Sequence, residues 1–188
     1  VKPTMLKLSL RKKSFFFYLG LIWLVSVFGF FFPDVRYFFA LVPRDSTGLL
    51  GILTMPLIHS DWEHLLSNTF PFVVFSWVIL VKGPRYYNWS LIFSVFLTGI
   101  LLWLFGRGNA HIGASGIVFS FFGLIMVNAW LTRHIKDIFL AIIVFLLYGG
   151  LILGVLPSDA SISWEGHFFG LLAGGFVAYM GKKYRIAK

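Results

Sequence analysis

The chain has 188 residues, of which 59% are hydrophobic and 12% charged, with a mean hydropathy of +0.87. A soluble domain carries about 25% charged residues, so composition excludes one and points to a membrane protein. The absence of cysteine excludes disulfides, thiolate-bound zinc and a cysteine nucleophile. The net charge of +9 is not a nucleic-acid signature, because the basic residues stand at the ends of apolar segments.

The first apolar segment, residues 14–32, follows a basic run (Lys7, Arg11, Lys12, Lys13) and is ended by Pro33-Asp34. It is too long for the core of a signal peptide, and no small-residue cleavage site follows it. It is therefore read as a first transmembrane helix, and the amino-terminal valine as a non-AUG start or a trimmed end. Residues 33–62 stay apolar at 35–42 and 49–58 but are broken by Pro33, Pro43, Gly48, Gly51 and Pro56. Such a segment does not span, and it reads as an insertion at the lipid interface built of short amphipathic helices. Further spans are expected at 63–81, 88–105, 113–132, 137–156 and 164–181. Their stops are Lys82-Gly83-Pro84-Arg85, the Arg133-His134-Ile135-Lys136 turn, Pro157 and Lys182-Lys183. Each of the six is close to the roughly 20 residues that a bilayer core requires. The expected fold is an all-α bundle of six transmembrane helices in one domain, residues 1–188, with a membrane-inserted first outer loop.

With six spans both ends lie on one side. That side holds thirteen basic residues: Lys2, Lys7, Arg11, Lys12, Lys13, Lys82, Arg85, Arg133, Lys136, Lys182, Lys183, Arg185 and Lys188. The other side holds three, Arg36, Arg44 and Arg107. The excess of positive charge assigns both termini to the cytoplasm.

Three groups of polar residues fall where lipid would exclude them. His64 and Asn68 in "HLLSN" share a helix face at i, i+4, and intramembrane polar groups need a partner helix or a cavity. "GASG" places Ser115 between Gly113 and Gly116 at the start of the fourth span, where unpaired backbone amides favour negative charge. "GHFFGLLAGG" sets Gly166, Gly170, Gly174 and Ala178 four apart, a flat stripe that lets helices touch backbone to backbone. His167 stands one residue off that stripe. The small face of Gly116, Ser120 and Gly123 is its natural partner, which would bring Ser115 and His167 together. Each group alone is satisfied by helix packing or capping. Jointly they offer a nucleophile, a base and oxyanion donors, the parts of acyl transfer. Asp159 and Glu165 lie in or beside a loop, so a dyad is expected rather than a triad.

On these motifs the chain resembles the rhomboid intramembrane serine proteases over nearly its whole length. The matching elements are His64-x3-Asn68, Gly113-Ala-Ser115-Gly and Gly166-His167-x2-Gly170-x3-Gly174. The resemblance implies Ser115 as nucleophile and His167 as base and acid. Asn68, His64 and the Ser115 amide would form the oxyanion hole, with Gly113 shaping it. It implies cleavage of transmembrane protein substrates near the outer interface, after small residues and where the substrate helix is weak. It implies no metal or cofactor. A bacterial inner membrane is the expected location, with the lipid bilayer and membrane proteins as partners and no nucleic acid. The chain departs from the family in two places. A Trp-Arg pair usual in the first loop is replaced by Leu50-Gly51, and a tyrosine that stacks on the base is Phe119. His59 falls where a histidine often precedes the second helix, and reads as a water- or loop-positioning residue or a plain interfacial one. No catalytic part is expected for His111. The fifth segment, 137–156, interrupted by Gly149-Gly150 and Gly154, is the expected mobile gate. Two other readings are an inactive relative that binds transmembrane clients, against which both dyad residues are present, and a proton-coupled transporter, against which no acidic residue stands mid-span.

Overall fold

The computed structural model describes residues 12–157 and 163–186. Lys2, Lys7, Arg11, Asp159 and Lys188 lie outside them. The order is α1 (Lys13–Phe31), α2 (Asp34–Phe39), a 3-10 turn (Ser46–Leu49), α3 (Gly51–Thr54), a second 3-10 turn (Met55–Leu57) and α4 (Trp62–Leu80). Then come α5 (Pro84–Phe105), α6 (Ser115–Thr132), α7 (Ile135–Tyr148) with a 3-10 extension (Gly149–Val155), and α8 (Trp164–Lys183).

Five of these are long and apolar enough to cross a membrane: α1, α4, α5, α6 and α7 with its extension. Helix α8 has 20 residues, about 30 Å, which matches a bilayer core. The glycines that let it pack closely also lower its hydropathy. The protein is a multi-pass, all-α membrane bundle. Helix α5 starts at Pro84, four residues ahead of the expected 88, because proline suits a first helical turn. The fifth span does not stay α-helical, since it tightens into the 3-10 stretch at Gly149.

Helix α6 is the centre of the bundle. Two thirds (67%) of its apolar window is buried, against 11% for α7 and its extension at the periphery. Glycine makes this possible. A Cβ on Gly170 would run into the Gly116 carbonyl, and one on Gly174 into the Ser120 carbonyl. The two backbones therefore meet directly, as the stripe on α8 predicts. Ser120 also donates to Ser94 on α5 across 2.7 Å.

At one end of the bundle Lys82 pairs with Asp137 at 2.8 Å, Thr132 donates to the same carboxylate, and Lys182 donates to the Leu131 carbonyl. The candidate site lies at the other end, under the loops. There the loop after α2 pairs with the loop after α5 by two bonds, Leu41 N–H to the His111 carbonyl and His111 N–H to the Leu41 carbonyl. Arg44 donates to the carbonyls of Leu104 and Gly106, and the Trp103 indole donates to the Asp45 carbonyl. An arginine and a tryptophan thus anchor this loop from other positions than the usual pair. Gly51 has a different task. Leu41 crosses so close that a Cβ at 51 would strike its backbone.

Candidate active site

Helix α4 begins at Asp61, whose side chain accepts the His64 N–H at 2.9 Å and caps the helix. Burial is slight here, and the bonds from Ser60 and the backbone hold the Asp61 carboxyl below its ordinary range. His64 and Asn68 follow on one face. Asn68 is 6% exposed and donates one amide hydrogen to the His64 carbonyl at 2.8 Å, which leaves the second free for another acceptor. The Ser60 hydroxyl donates to Asp61 at 2.6 Å, so its oxygen accepts from His64 Nδ1–H at 3.1 Å. A neutral His64 then has a bare Nε2. That nitrogen donates only in the protonated ring or in the other tautomer.

The His64 ring lies over Gly113. A Cβ at 113 would sit 2.6 Å from Nε2, and Gly113 has φ of +106°, so space and backbone both require glycine. The Gly113 amide is taken by the Met55 carbonyl at 2.8 Å. The Ala114 amide is taken by His59 Nε2 at 3.1 Å. Among the described residues the Ser115 amide is the first in this turn without an acceptor. It opens α6 beside the Ser115 hydroxyl.

His59 is fully buried, and its bonds run in one direction. Ala114 N–H donates to Nε2, Nδ1–H donates to Ser26 Oγ at 2.9 Å, and Ser26 donates to the Leu57 carbonyl at 2.9 Å. Burial, with His64 beside it (ring centroids 4.8 Å apart), pushes the His59 pKa down to about 3. His59 is therefore a neutral tie between α1, the inserted loop and the residue before Ser115.

His167 stacks on Phe119 with ring centroids 4.1 Å apart and planes within 5°. Phe119 lies one turn below Ser115 on the same face of α6. Nδ1–H of His167 donates to the Gly154 carbonyl at 2.8 Å. A carbonyl only accepts, so the neutral ring carries its proton on Nδ1 and presents a bare Nε2, the form a general base needs. Among the described residues the Ser115 hydroxyl and His167 are not hydrogen-bonded to each other. Such contacts often tighten only around substrate. Both side chains are half-buried.

Glu165 is 3% exposed and is held by both Nε and Nη2 of Arg107 as well as the Arg107 amide. It therefore faces Arg107 as a clasp between the loop and α8. His111, nearly buried, completes that clasp. Gly166 N–H donates to Ser163 Oγ, Ser163 donates to His111 Nδ1 at 2.7 Å, and Nε2–H donates to the Arg107 carbonyl at 3.1 Å. Burial lowers the His111 pKa, against the opposing bond to Arg107.

The structure thus gathers His64, Asn68, Gly113, Ser115, Gly116, Phe119, Gly166, His167 and Gly170 at one end of α4, α6 and α8. Sequence reasoning missed Ser26, Ser60 and the Gly154 carbonyl. Nothing in the local sequence marks Ser26 or Gly154, whose histidine partners lie 33 and 13 positions away, whereas Ser60 stands within four residues of its partners Asp61 and His64, a spacing that could have found it.

The family profile described as the Rhomboid domain matches residues 46–184, well over half of the chain. The chain belongs to the rhomboid family. Uncharacterized proteins of Mycobacterium tuberculosis and Mycobacterium bovis are each 33% identical to it over 147 residues, covering 73% of this chain and 61% of theirs. This rhomboid spans about three fifths of the length of those relatives. A protein of Acanthamoeba polyphaga mimivirus named as a rhomboid protein is 29% identical over 164 residues, covering 84% of this chain and 85% of that one.

Proposed function

We propose that this rhomboid is an intramembrane serine endopeptidase that cuts transmembrane segments of membrane proteins near the outer interface, through a Ser115–His167 dyad. The observation that carries the reading is the state of His167. Its Nδ1 is committed to a carbonyl and its ring is stacked on Phe119, one turn from Ser115. An inactive client-binding relative has no need for a base held in one tautomer.

In this reading Ser115 Oγ attacks the substrate carbonyl carbon while its proton passes to His167 Nε2. The carbonyl π pair becomes the oxyanion. The Ser115 amide and the free amide hydrogen of Asn68 donate to that oxygen, and His64 joins them once Nε2 carries a proton. Collapse breaks the C–N bond, and His167 returns the proton to the leaving amine. Water, deprotonated by the same Nε2, then adds to the acyl carbon, and as the bond to Ser115 Oγ breaks His167 returns the proton to that oxygen. Hydrolysis needs water and substrate carbonyls released from their helix. A site at the end of the bundle, with half-exposed His64, Ser115 and His167, suits both needs. Gly113, Gly116, Gly166, Gly170 and Gly174 act through the close approach they permit. The chemistry uses no metal or cofactor. The concentration of Lys and Arg at the opposite end supports a cytoplasmic position for both termini, and mycobacterial relatives support a bacterial cell membrane.

The test is cleavage of a model transmembrane substrate in liposomes by wild type, Ser115→Ala and His167→Ala. Cleavage by wild type alone is the expected result. If a folded wild type cuts nothing from a panel of substrates and both variants still capture them, the client-binding alternative is correct instead.

A further inference from the structure

We infer that the Gly154 carbonyl serves as the orienting partner of the base, the part that a carboxylate plays in a triad, and that it thereby ties the base to the seating of the 3-10 extension of α7. This rests on the protease reading of Ser115 and His167.

Three observations carry it. First, the bond is direct and fixes the tautomer: Nδ1–H of His167 lies 2.8 Å from the Gly154 oxygen. Among the described residues no carboxylate competes for Nδ1, since Glu165 is turned to Arg107. Secondly, the fit around Gly154 is close. A Cβ there would lie 3.0 Å from Phe119 Cζ and 3.1 Å from His167 Nδ1, so residue 154 packs against both the base and the ring that supports it. Thirdly, the carbonyl belongs to a 3-10 segment in which no residue is fully buried, at the outer end of the least buried span. The orienting group for the base is thus supplied by a weakly held part of the bundle. When that segment is displaced, His167 loses its Nδ1 acceptor and either ring nitrogen can hold the proton. Proton transfer is then confined to the seated arrangement. A carbonyl also accepts from the imidazolium that forms when Ser115 is deprotonated, which a solvent-exposed Nδ1 would have to obtain from water.

The decisive comparison is Gly154→Ala against Gly150→Ala, four residues away in the same segment with no atom within 4 Å of its added Cβ. Three readouts are taken: kcat and KM for a transmembrane substrate, the rate and final extent of Ser115 labelling by a fluorophosphonate, and the histidine 15N shifts of the protein in detergent. For Gly154→Ala we expect kcat and the labelling rate to fall together by roughly tenfold or more, with KM and the final labelled fraction within about twofold of wild type. An unchanged final fraction separates a misoriented base from a misfolded protein. The His167 spectrum should show an Nδ1–H tautomer in wild type and Gly150→Ala, and a mixture in Gly154→Ala. If the tautomer and the labelling rate are unaltered in Gly154→Ala, the inference is wrong. It is equally wrong if Gly150→Ala has the same effect, because the response then belongs to the segment and not to the carbonyl. A wild type that shows the Nδ1–H tautomer yet neither labels nor cleaves overturns the protease reading and leaves the contact itself standing.

Discussion

Substituting Gly170 by alanine is the sharpest test of how the two halves of the site are brought together. Gly170 stands one turn below His167 on α8, facing the carbonyl of Gly116, the neighbour of Ser115. An added Cβ would overlap that carbonyl oxygen and come 3.2 Å from Phe119 Cβ. Neither neighbour is the end of a flexible side chain, so relief requires α6 and α8 to separate by about 1 Å. Overpacking of this kind costs about 1–3 kcal/mol, and the better helix propensity of alanine offsets about 1 kcal/mol of it. The net loss of stability is therefore modest, about 0–2 kcal/mol. The loss of activity is not, because a misplacement of 1 Å between reacting groups costs about 100-fold. The expected result is a folded variant with kcat reduced about 100-fold on a transmembrane substrate. Gly175→Ala is the control, since its Cβ meets only Val127 Cγ2 at an ordinary 3.4 Å and should leave kcat within about twofold. Full activity in Gly170→Ala would refute the claim that backbone contact sets the spacing of Ser115 and His167.

Other consequences are as direct. Gly113→Ala combines an unfavourable φ with a collision against His64 Nε2 and should reduce cleavage at least tenfold with KM little changed, checked by steady-state kinetics. His59 is neutral when folded, with its pKa near 3, whereas the unfolded residue titrates near 6.5. The unfolded state therefore binds the extra proton between those values. Stability should be complete above pH 6.5 and fall by up to about 1.4 kcal/mol per pH unit as pH drops toward 3. Unfolding measured from pH 7 to 4 tests this, and His59→Gln should flatten the slope. Cleavage should decline on acidification as the base takes up a proton; a rate that stays level down to the lowest pH at which the protein remains folded would remove a histidine base from the rate-limiting step. Arg44→Ala leaves the Leu104 and Gly106 carbonyls without their donor and should increase proteolysis of the loop at residues 41–54 without changing the helical circular dichroism of the bundle.

The helices were legible because lipid imposes length and apolarity on a span, and charge marks its ends. The pairing of α6 with α8 was legible for a similar reason: glycines at every fourth position have few uses other than backbone contact. The stacking of Phe119 on His167 follows from that pairing. The polar ties were not legible. Ser26 and Gly154 carry no local signature, and each meets its histidine through a fold that joins residues 33 and 13 positions apart. The loop before α4 was the hardest stretch. Its anchors, Arg44 and Trp103, come from opposite ends of the contact, and Gly51 is explained only by the crossing of Leu41. The 3-10 character of residues 149–155 was foreshadowed by three glycines, but its role as the seat of the base depends on a carbonyl that every residue possesses.

The measurement that tests the central claim most directly is the intact mass of the protein after exposure to a fluorophosphonate, for wild type and for His167→Ala. The account predicts one adduct on wild type, located on Ser115 by fragmentation, and none on His167→Ala over the same time. A folded wild type that takes up no adduct, or an adduct that forms equally fast without His167, would contradict it.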